Sequence, residues 1–301
     1  MQRTIEATKR RIRIAYQWSP LIHIILAPAI YARRALFGNM RDQQAKIIDR
    51  LGEILSDAPQ VRLPQFRGEF FVGARSDIFR RIALGDSYED YLVRYIEERI
   101  DIKRDAIDVG ANCGFYTVLL AKLLPDRKVI SVEPTNNAVK LLRRNITLNR
   151  VSANVFVYEG VATDKEGTAN INVIEGREEY STLGAMVHPS VVPSEAVPHQ
   201  VAATTIDQLA GSTGISCGFI KLDVEGHECA VLKGARETLL NHRPVILAEL
   251  VDPLLRSNGS SAYEMIEFMK GCGYDVVDPR DPTKFADSKF SGDVLCIPRH
   301  L

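Results

Sequence analysis

Five short apolar runs, each with an acid at or near its end, punctuate the chain from Asp105 onward: DAIDVG, KVISVEP, ANVFVYEG, GFIKLDVEG and PVILAEL. Stretches with helical spacing lie between them, at Phe115–Leu124, Asn136–Asn149 and Cys229–Leu240. Short strands alternating with helices predict βαβ units and a doubly wound, mostly parallel sheet. A helix is expected over Ala262–Lys270. Strands follow at Tyr274–Asp278 and Asp293–Ile297, expected as an antiparallel edge pair.

Upstream of that alternation the pattern is different. Apolar positions at Ala45, Ile47, Ile48, Leu51 and Ile54 predict a helix over Asp42–Leu55. Phe66–Asp77 reads as a hairpin with Gly68 and Gly73 at turn or bulge positions. Ser76-Asp77 caps a helix through Ala83, and Ser87 caps another over Tyr88–Ile100. The chain therefore divides into an arm (residues 1–40), a unit of helices and hairpin (41–100) and a main α/β domain (101–301). From Glu175 to Gln200 no period survives, and Pro189, Pro193 and Pro198 interrupt the segment. A loop of that length in a compact domain is expected to be a lid or binding loop.

Charge and cysteines narrow the classes. The 301 residues carry 38 basic and 38 acidic side chains, so no global basic field points to nucleic acid. Five scattered cysteines without a C-x-x-C pair fit a reducing, cytoplasmic setting, with no disulfide framework and no thiolate zinc site. Between Met1 and Arg41 eight basic residues face one acid, Glu6. The apolar centre of that arm, Pro20–Ala32, is too short to span a bilayer. Its basic flanks, with Trp18 and Tyr31 at the edges, suit peripheral contact of residues 10–41 with an anionic inner membrane surface. Packing of the arm on the domain or on a second subunit is the simpler expectation, and the sequence leaves the oligomeric state open.

Three constellations carry chemistry. In DVGANCGFYT, Gly110 and Gly114 bracket a turn from a strand into a helix, so backbone can approach a ligand closely. The spacing is G-x-x-x-G, without a dinucleotide fingerprint, and Asp108 just before it suits a ligand with an ammonium group. Glu133 closes the second strand, where a carboxylate can accept both hydroxyls of an adenosine ribose. Val161 and Ala162, past the third strand, offer apolar contact for an adenine. In FIKLDVEGHECAVLKGA an extended backbone would put Asp223, Glu225 and His227 on one side, beside the first strand at the switch point of the sheet. Glu228 reads as a helix-dipole partner, and His227, read structurally, as a helix cap or a partner of Glu249.

Taken in order, DVGANCGFYT, VISVEPTNNAVKLLRRNITLN, GVATDKEGTANINV, STLG, TTIDQL, FIKLDVEGHECAVLKGA and ILAEL resemble the FkbM family of S-adenosylmethionine-dependent methyltransferases, from about Tyr88 to the C-terminus. The resemblance implies a class I methyltransferase (Rossmann-like) fold of seven strands with the last antiparallel. It also implies O-methylation of a sugar, glycan or secondary-metabolite hydroxyl, with S-adenosylhomocysteine as product. By motif matching, Asp108, Gly110, Asn112 and Gly114 would hold the methionine part of the cofactor and Glu133 the ribose. Lys221, Asp223, Glu225, Gly226, His227 and Glu228 complete the K-x-D-V-E-G-H-E block, whereas a serine-rich block is reduced to Ser181-Thr182-Leu183.

An alcohol needs a base as its oxygen is alkylated. His227 is the first candidate, with Asp223 or Glu225 orienting it or binding acceptor hydroxyls. Asp223 is the alternative base. A divalent metal on Asp223, Glu225 and His227 is a third option, and no metal site is assigned. Two other classes fit the sequence less well. An NAD-dependent oxidoreductase would need the missing fingerprint. A non-catalytic binding module would be expected to lose Glu133 or the 223–227 block, and both are intact.

Overall fold

The alternation of apolar runs and helical stretches is realised in a computed structural model, which describes residues 40–55, 58–85, 89–185 and 190–299. The basic arm up to Asn39 lies outside the described residues, as do Ser87 and Tyr88. The chain opens with α1 (Met40–Ile54), whose Ala45 and Ile48 are buried. Next comes an antiparallel hairpin, β1 (Gln60–Leu63) and β2 (Gly68–Phe71). It starts earlier than the sequence suggests. Pro64, which reads as a breaker, opens the 3-10 turn Pro64–Phe66 at the tip, where a missing N–H costs nothing. Helix α2 (Asp77–Ala83) is capped as expected, Phe79 N donating to Ser76 Oγ at 3.1 Å. Glu89, with φ +56°, leads into α3 (Asp90–Arg99).

The main domain follows: β3 (Asp105–Val109), α4 (Phe115–Leu123), β4 (Val129–Glu133), α5 (Asn136–Leu148) and β5 (Val155–Glu159). Every residue of β3 and β4 is buried, as continuous apolar runs in a doubly covered parallel sheet require. Then β6 (Val161–Ala162), β7 (Gly167–Val173) and β8 (Val197–Thr204) form a separate sheet in the order β6-β8-β7. Strand β8 takes the end of the segment expected to be loop. Its first four residues, Val197 to Gln200, are exposed on both sides and include Pro198, so no alternation marks it. The chain continues through α6 (Ile206–Thr213), β9 (Cys217–Leu222), α7 (Glu228–Lys233), α8 (Arg236–Asn241), β10 (Val245–Leu250), α9 (Asp252–Ser257), α10 (Ala262–Gly271), β11 (Tyr274–Asp278), β12 (Asp281–Phe285) and β13 (Gly292–Pro298).

The expected helix Cys229–Leu240 is therefore two helices. At the break Gly234 sits against backbone, where an added Cβ would lie 2.0 Å from Thr163 O.

The large sheet runs β12-β11-β13-β10-β9-β3-β4-β5. Strands β5, β4, β3, β9 and β10 are parallel, and β13 pairs antiparallel with both β10 and β11. This is the seven-stranded Rossmann-like arrangement with an eighth strand, β12, at the edge. The expected edge pair is corrected in one respect: β13, with Val294, Leu295 and Cys296 fully buried, is interior. No helix among the described residues is long and apolar enough to cross a membrane.

Period-2 alternation sorts the strand residues between two cores. Ile107, Ile130 and Ile220 face α6, α8 and α10. Ala106, Val129 and Phe219 face a layer built from the hairpin, α2, α3, α4 and α5. Two residues further on, that second face carries Asp108, Ser131 and Lys221 as register neighbours, then Glu133, Asp223 and Glu249. The polar groups thus collect at the C-terminal strand ends.

Candidate active site

A cavity of about 470 Å³ opens at those strand ends, a size typical of small-molecule sites. Eight acidic residues line it, against Arg81 and Lys221 as cations. One wall is the glycine loop. Gly110 has φ +77°, and a Cβ there would sit 1.8 Å from Asp223 O, so only glycine lets β3 and β9 end this close together. Asn112 and Gly114 are also left-handed, at φ +47° and +92°. The floor beside the loop is Val132, Pro134, Val161 and Ala162.

Glu133 is 5% exposed and lines the cavity. Its Oε2 accepts from Asn112 N at 2.9 Å, and its Oε1 accepts from Thr135 N at 3.0 Å and Thr135 Oγ1 at 2.7 Å. Burial raises its pKa, and these three hydrogen bonds oppose the rise. Asp108 is placed differently from a wall residue. At 1% exposure it lies behind the loop and does not line the cavity. Its Oδ2 accepts from Thr117 Oγ1 at 2.6 Å, while its buried Oδ1 has no hydrogen-bond partner.

Opposite the loop, the strand-end block is a turn rather than an extended run. Asp223 N donates to Val109 O at 3.1 Å, and Glu225 is left-handed at φ +51°. Asp223, Glu225 and His227 nevertheless all line the cavity, because the turn wraps around it. Lys221 Nζ donates to Asp223 Oδ2 at 2.8 Å and lies 5.1 Å from the Tyr116 ring centroid. Burial pulls the lysine pKa down, but Asp223, Asp108 and Glu89 more than offset it and hold the ammonium above its ordinary value.

Glu225 is pushed up to about 10, first by burial and then by Asp223, Glu249 and Glu228, so it is a neutral acid at pH 7. Glu249 is raised for the same reasons. His227 is lowered by burial, partly opposed by Asp164 and Asn258, and is neutral. Its Nε2 lies 2.9 Å from Thr163 Oγ1. The ring is therefore held by Thr163 and Asn258, not by Asp223, Glu225 or Glu249. Glu228 is buried, and its Oε1 accepts from Val224 N at 3.1 Å and Gly226 N at 3.2 Å, so it ties the turn together.

Other wall residues come from segments that the sequence marks only as a whole, the N-terminal elements and the expected lid or binding loop over 175–200. Asp77, Ile78, Arg81 and Glu89 come from the N-terminal layer, and Glu179, Tyr180 and Leu183 from the segment after β7. The two groups are joined where Tyr180 OH donates to Asp77 Oδ2 and Asp77 N donates to Glu179 Oε1 at 2.6 Å. Burial pushes Glu179 up to about 7. Glu249 has a cue of its own, an acid ending a strand, as at Glu133.

The donor set fits S-adenosylmethionine. Carboxylates match its ammonium and ribose hydroxyls, the apolar floor matches a purine, and residues 110–113 of the glycine loop line the cavity. Among the described residues no three His, Cys, Asp or Glu side chains converge to hold a metal ion.

A family model described as the methyltransferase FkbM domain matches residues 108–276, more than half of the chain. Methyltransferase sdnD of Sordaria araneosa is 23% identical over 211 residues, covering 62% of this chain and 78% of that protein. Among solved structures, methyltransferase FkbM from Methylobacillus flagellatus KT is 18% identical with a TM-score of 0.41, covering 66% of this chain and 44% of that one. The chain thus spans less than half the length of that structure. The S-adenosylhomocysteine-bound methyltransferase PaMTH1 of Podospora anserina is 13% identical with a TM-score of 0.39, covering 71% and 80%. The chain belongs to the FkbM methyltransferase family.

Proposed function

We propose that the chain methylates a hydroxyl oxygen of a sugar, glycan or secondary metabolite, using S-adenosylmethionine. The observation that carries this reading is a single cavity with the glycine loop and Glu133 on one wall and Asp223, Glu225 and His227 on the other. The bound cofactor supplies a sulfonium methyl that is already electrophilic. The loop backbone at Gly110–Gly114 and Glu133 hold it, and Val161 and Ala162 floor the adenine end. Asp108 acts from behind the loop: burial raises its pKa, and Lys221 and the Thr117 hydrogen bond oppose the rise.

The chain's remaining task is to place the acceptor oxygen and take its proton. His227 is the base in this reading: it lines the cavity, burial keeps its imidazole neutral, and Nε2 takes up the acceptor hydroxyl in place of Thr163 Oγ1. Glu225, protonated, donates a hydrogen bond to a neighbouring acceptor oxygen. A second reading makes Asp223 the base: its Oδ2 is anchored by Lys221 while its side chain stays partly open to the cavity.

Calorimetry with S-adenosylhomocysteine tests the cofactor assignment. Micromolar binding that Glu133→Ala weakens at least tenfold is expected, and folded protein that binds none overturns it. His227→Ala and Asp223→Asn separate the two bases. The true base should lose roughly 100-fold or more in kcat, with S-adenosylhomocysteine affinity within about twofold of the parent. Parental turnover in both variants would remove both assignments.

A further inference from the structure

The hairpin β1–β2 lies outside the family-matched segment, yet it is wired into the cofactor loop. Asn145, on α5 and 0% exposed, spends its whole amide on that link. Its Oδ1 accepts from Phe71 N at 2.7 Å, and its Nδ2 donates to Phe71 O at 2.9 Å and to Cys113 O at 2.8 Å. Cys113 stands between Asn112 and Gly114, both left-handed. Fixing its carbonyl fixes the plane of the 113–114 peptide, and with it the Gly114 N–H that closes the loop on Ala111 O at 2.8 Å.

One helical turn later Asn149 clasps the hairpin in the same way. It accepts from Glu69 N at 3.2 Å and donates to Glu69 O at 2.7 Å. Its other contacts are Lys122 Nζ and Asn145 O, with none to the loop. The two asparagines therefore share one task and differ in another.

Aromatic packing runs along the same path. Phe70 meets Phe115 at 4.7 Å between ring centroids, and Phe66 lies 5.3 Å from both Phe115 and Tyr116. Phe115 and Tyr116 open α4, directly after the loop, and both line the cavity. On the other side Leu142 presses on Gly114, where a Cβ would lie 2.5 Å from Leu142 Cδ1.

We propose that Asn145 is a positioning residue for methyl transfer, coupling the β1–β2 hairpin to the backbone that binds S-adenosylmethionine; this rests on the assignment of residues 110–114 to that cofactor. The hairpin is thus part of the cofactor site without touching the cavity itself.

The test compares Asn145→Ala with Asn149→Ala in the full chain. Three quantities are measured: the thermal midpoint, hydrogen exchange of the amides from Gly110 to Phe115 without ligand, and the S-adenosylhomocysteine Kd by calorimetry. Both variants should lower the midpoint. Only Asn145→Ala should speed exchange in the loop and weaken S-adenosylhomocysteine, by about tenfold, as expected for one lost positioning hydrogen bond. The proposal is overturned if Asn149→Ala weakens binding as much at a similar midpoint. It is also overturned if Asn145→Ala keeps parental loop exchange and affinity. If Asn145→Ala does not fold, Asn145→Ser, which retains a short donor, is put through the same comparison with the same criteria. A parent protein that binds no S-adenosylhomocysteine overturns the cofactor assignment instead, and loop exchange still decides whether Asn145 holds the loop.

Discussion

Glu225 shows how far a residue's chemistry depends on what surrounds it. As sequence it is one of two carboxylates in a strand-end block. In the fold it is left-handed, largely shielded and surrounded by Asp223, Glu249 and Glu228, which push it up to about 10. The folded state therefore holds a proton that the unfolded chain releases near the ordinary glutamate value of 4.5. The stability tied to that proton is fully present below the unfolded pKa and is lost as pH rises toward the folded one. Glu225→Gln copies the protonated acid. It should raise the thermal midpoint at about pH 9, by a few degrees or more, and change it little at about pH 5. Parallel decline of parent and variant between those values would contradict the assignment. His227 has the opposite logic. Its lowered pKa predicts that kcat/KM rises with pH only below the ordinary histidine range and is flat above it; a rise continuing past pH 7 would point to another group.

The same residues mark how much of the site could be read beforehand. The glycine loop, Glu133 and the 223–228 block were legible because each combines a strand end with groups that a buried strand does not need. The partners of His227 were not. Thr163 and Asn258 are ordinary polar residues 64 positions before and 31 after it, and only the turn at Gly226 and the close approach of α9 to that glycine bring them together.

Among elements, the parallel strands and their helices followed from continuous apolar runs and 3.6-residue periodicity. Three of the missed strands share a physical feature. Strands β1, β8 and β12 each bury one side or less and carry Pro or charge within them, so their alternation is weak. The break between α7 and α8 was hidden because helical periodicity continues through it. Gly234 at the break supports an element-level prediction. Its missing Cβ accommodates Thr163 O, and Thr163 Oγ1 holds His227. Gly234→Ala should cost about 1–3 kcal/mol of stability and lower kcat roughly tenfold as the imidazole loses its register, with S-adenosylhomocysteine affinity unchanged. Denaturant titration and steady-state kinetics check the two parts. Parental turnover in a destabilised variant would separate Thr163 from His227.

For the molecule as a whole, one apolar core contains Val61, Phe66, Phe70, Phe79 and Ile96 together with Phe115, Leu119, Phe219 and Leu295. The layer before residue 100 and the sheet thus bury the same surface. Unfolding should then be a single transition, with hairpin amides and β3 amides protected to the same free energy in hydrogen exchange. Hairpin amides that open well before the sheet would show two units.

The place of β13 has a consequence for how the protein is made. Strand β11 is synthesised before β13, but its partner on the sheet side is β13, which also covers the free edge of β10. Until the chain has been extended past Pro298, both strands have open edges, and the nascent protein carries two unpaired strand edges that invite wrong pairing. Completion of the sheet is thus deferred until β13 has been made, and a chain stopped at Ser291 should be recovered as aggregate, not as a smaller folded enzyme.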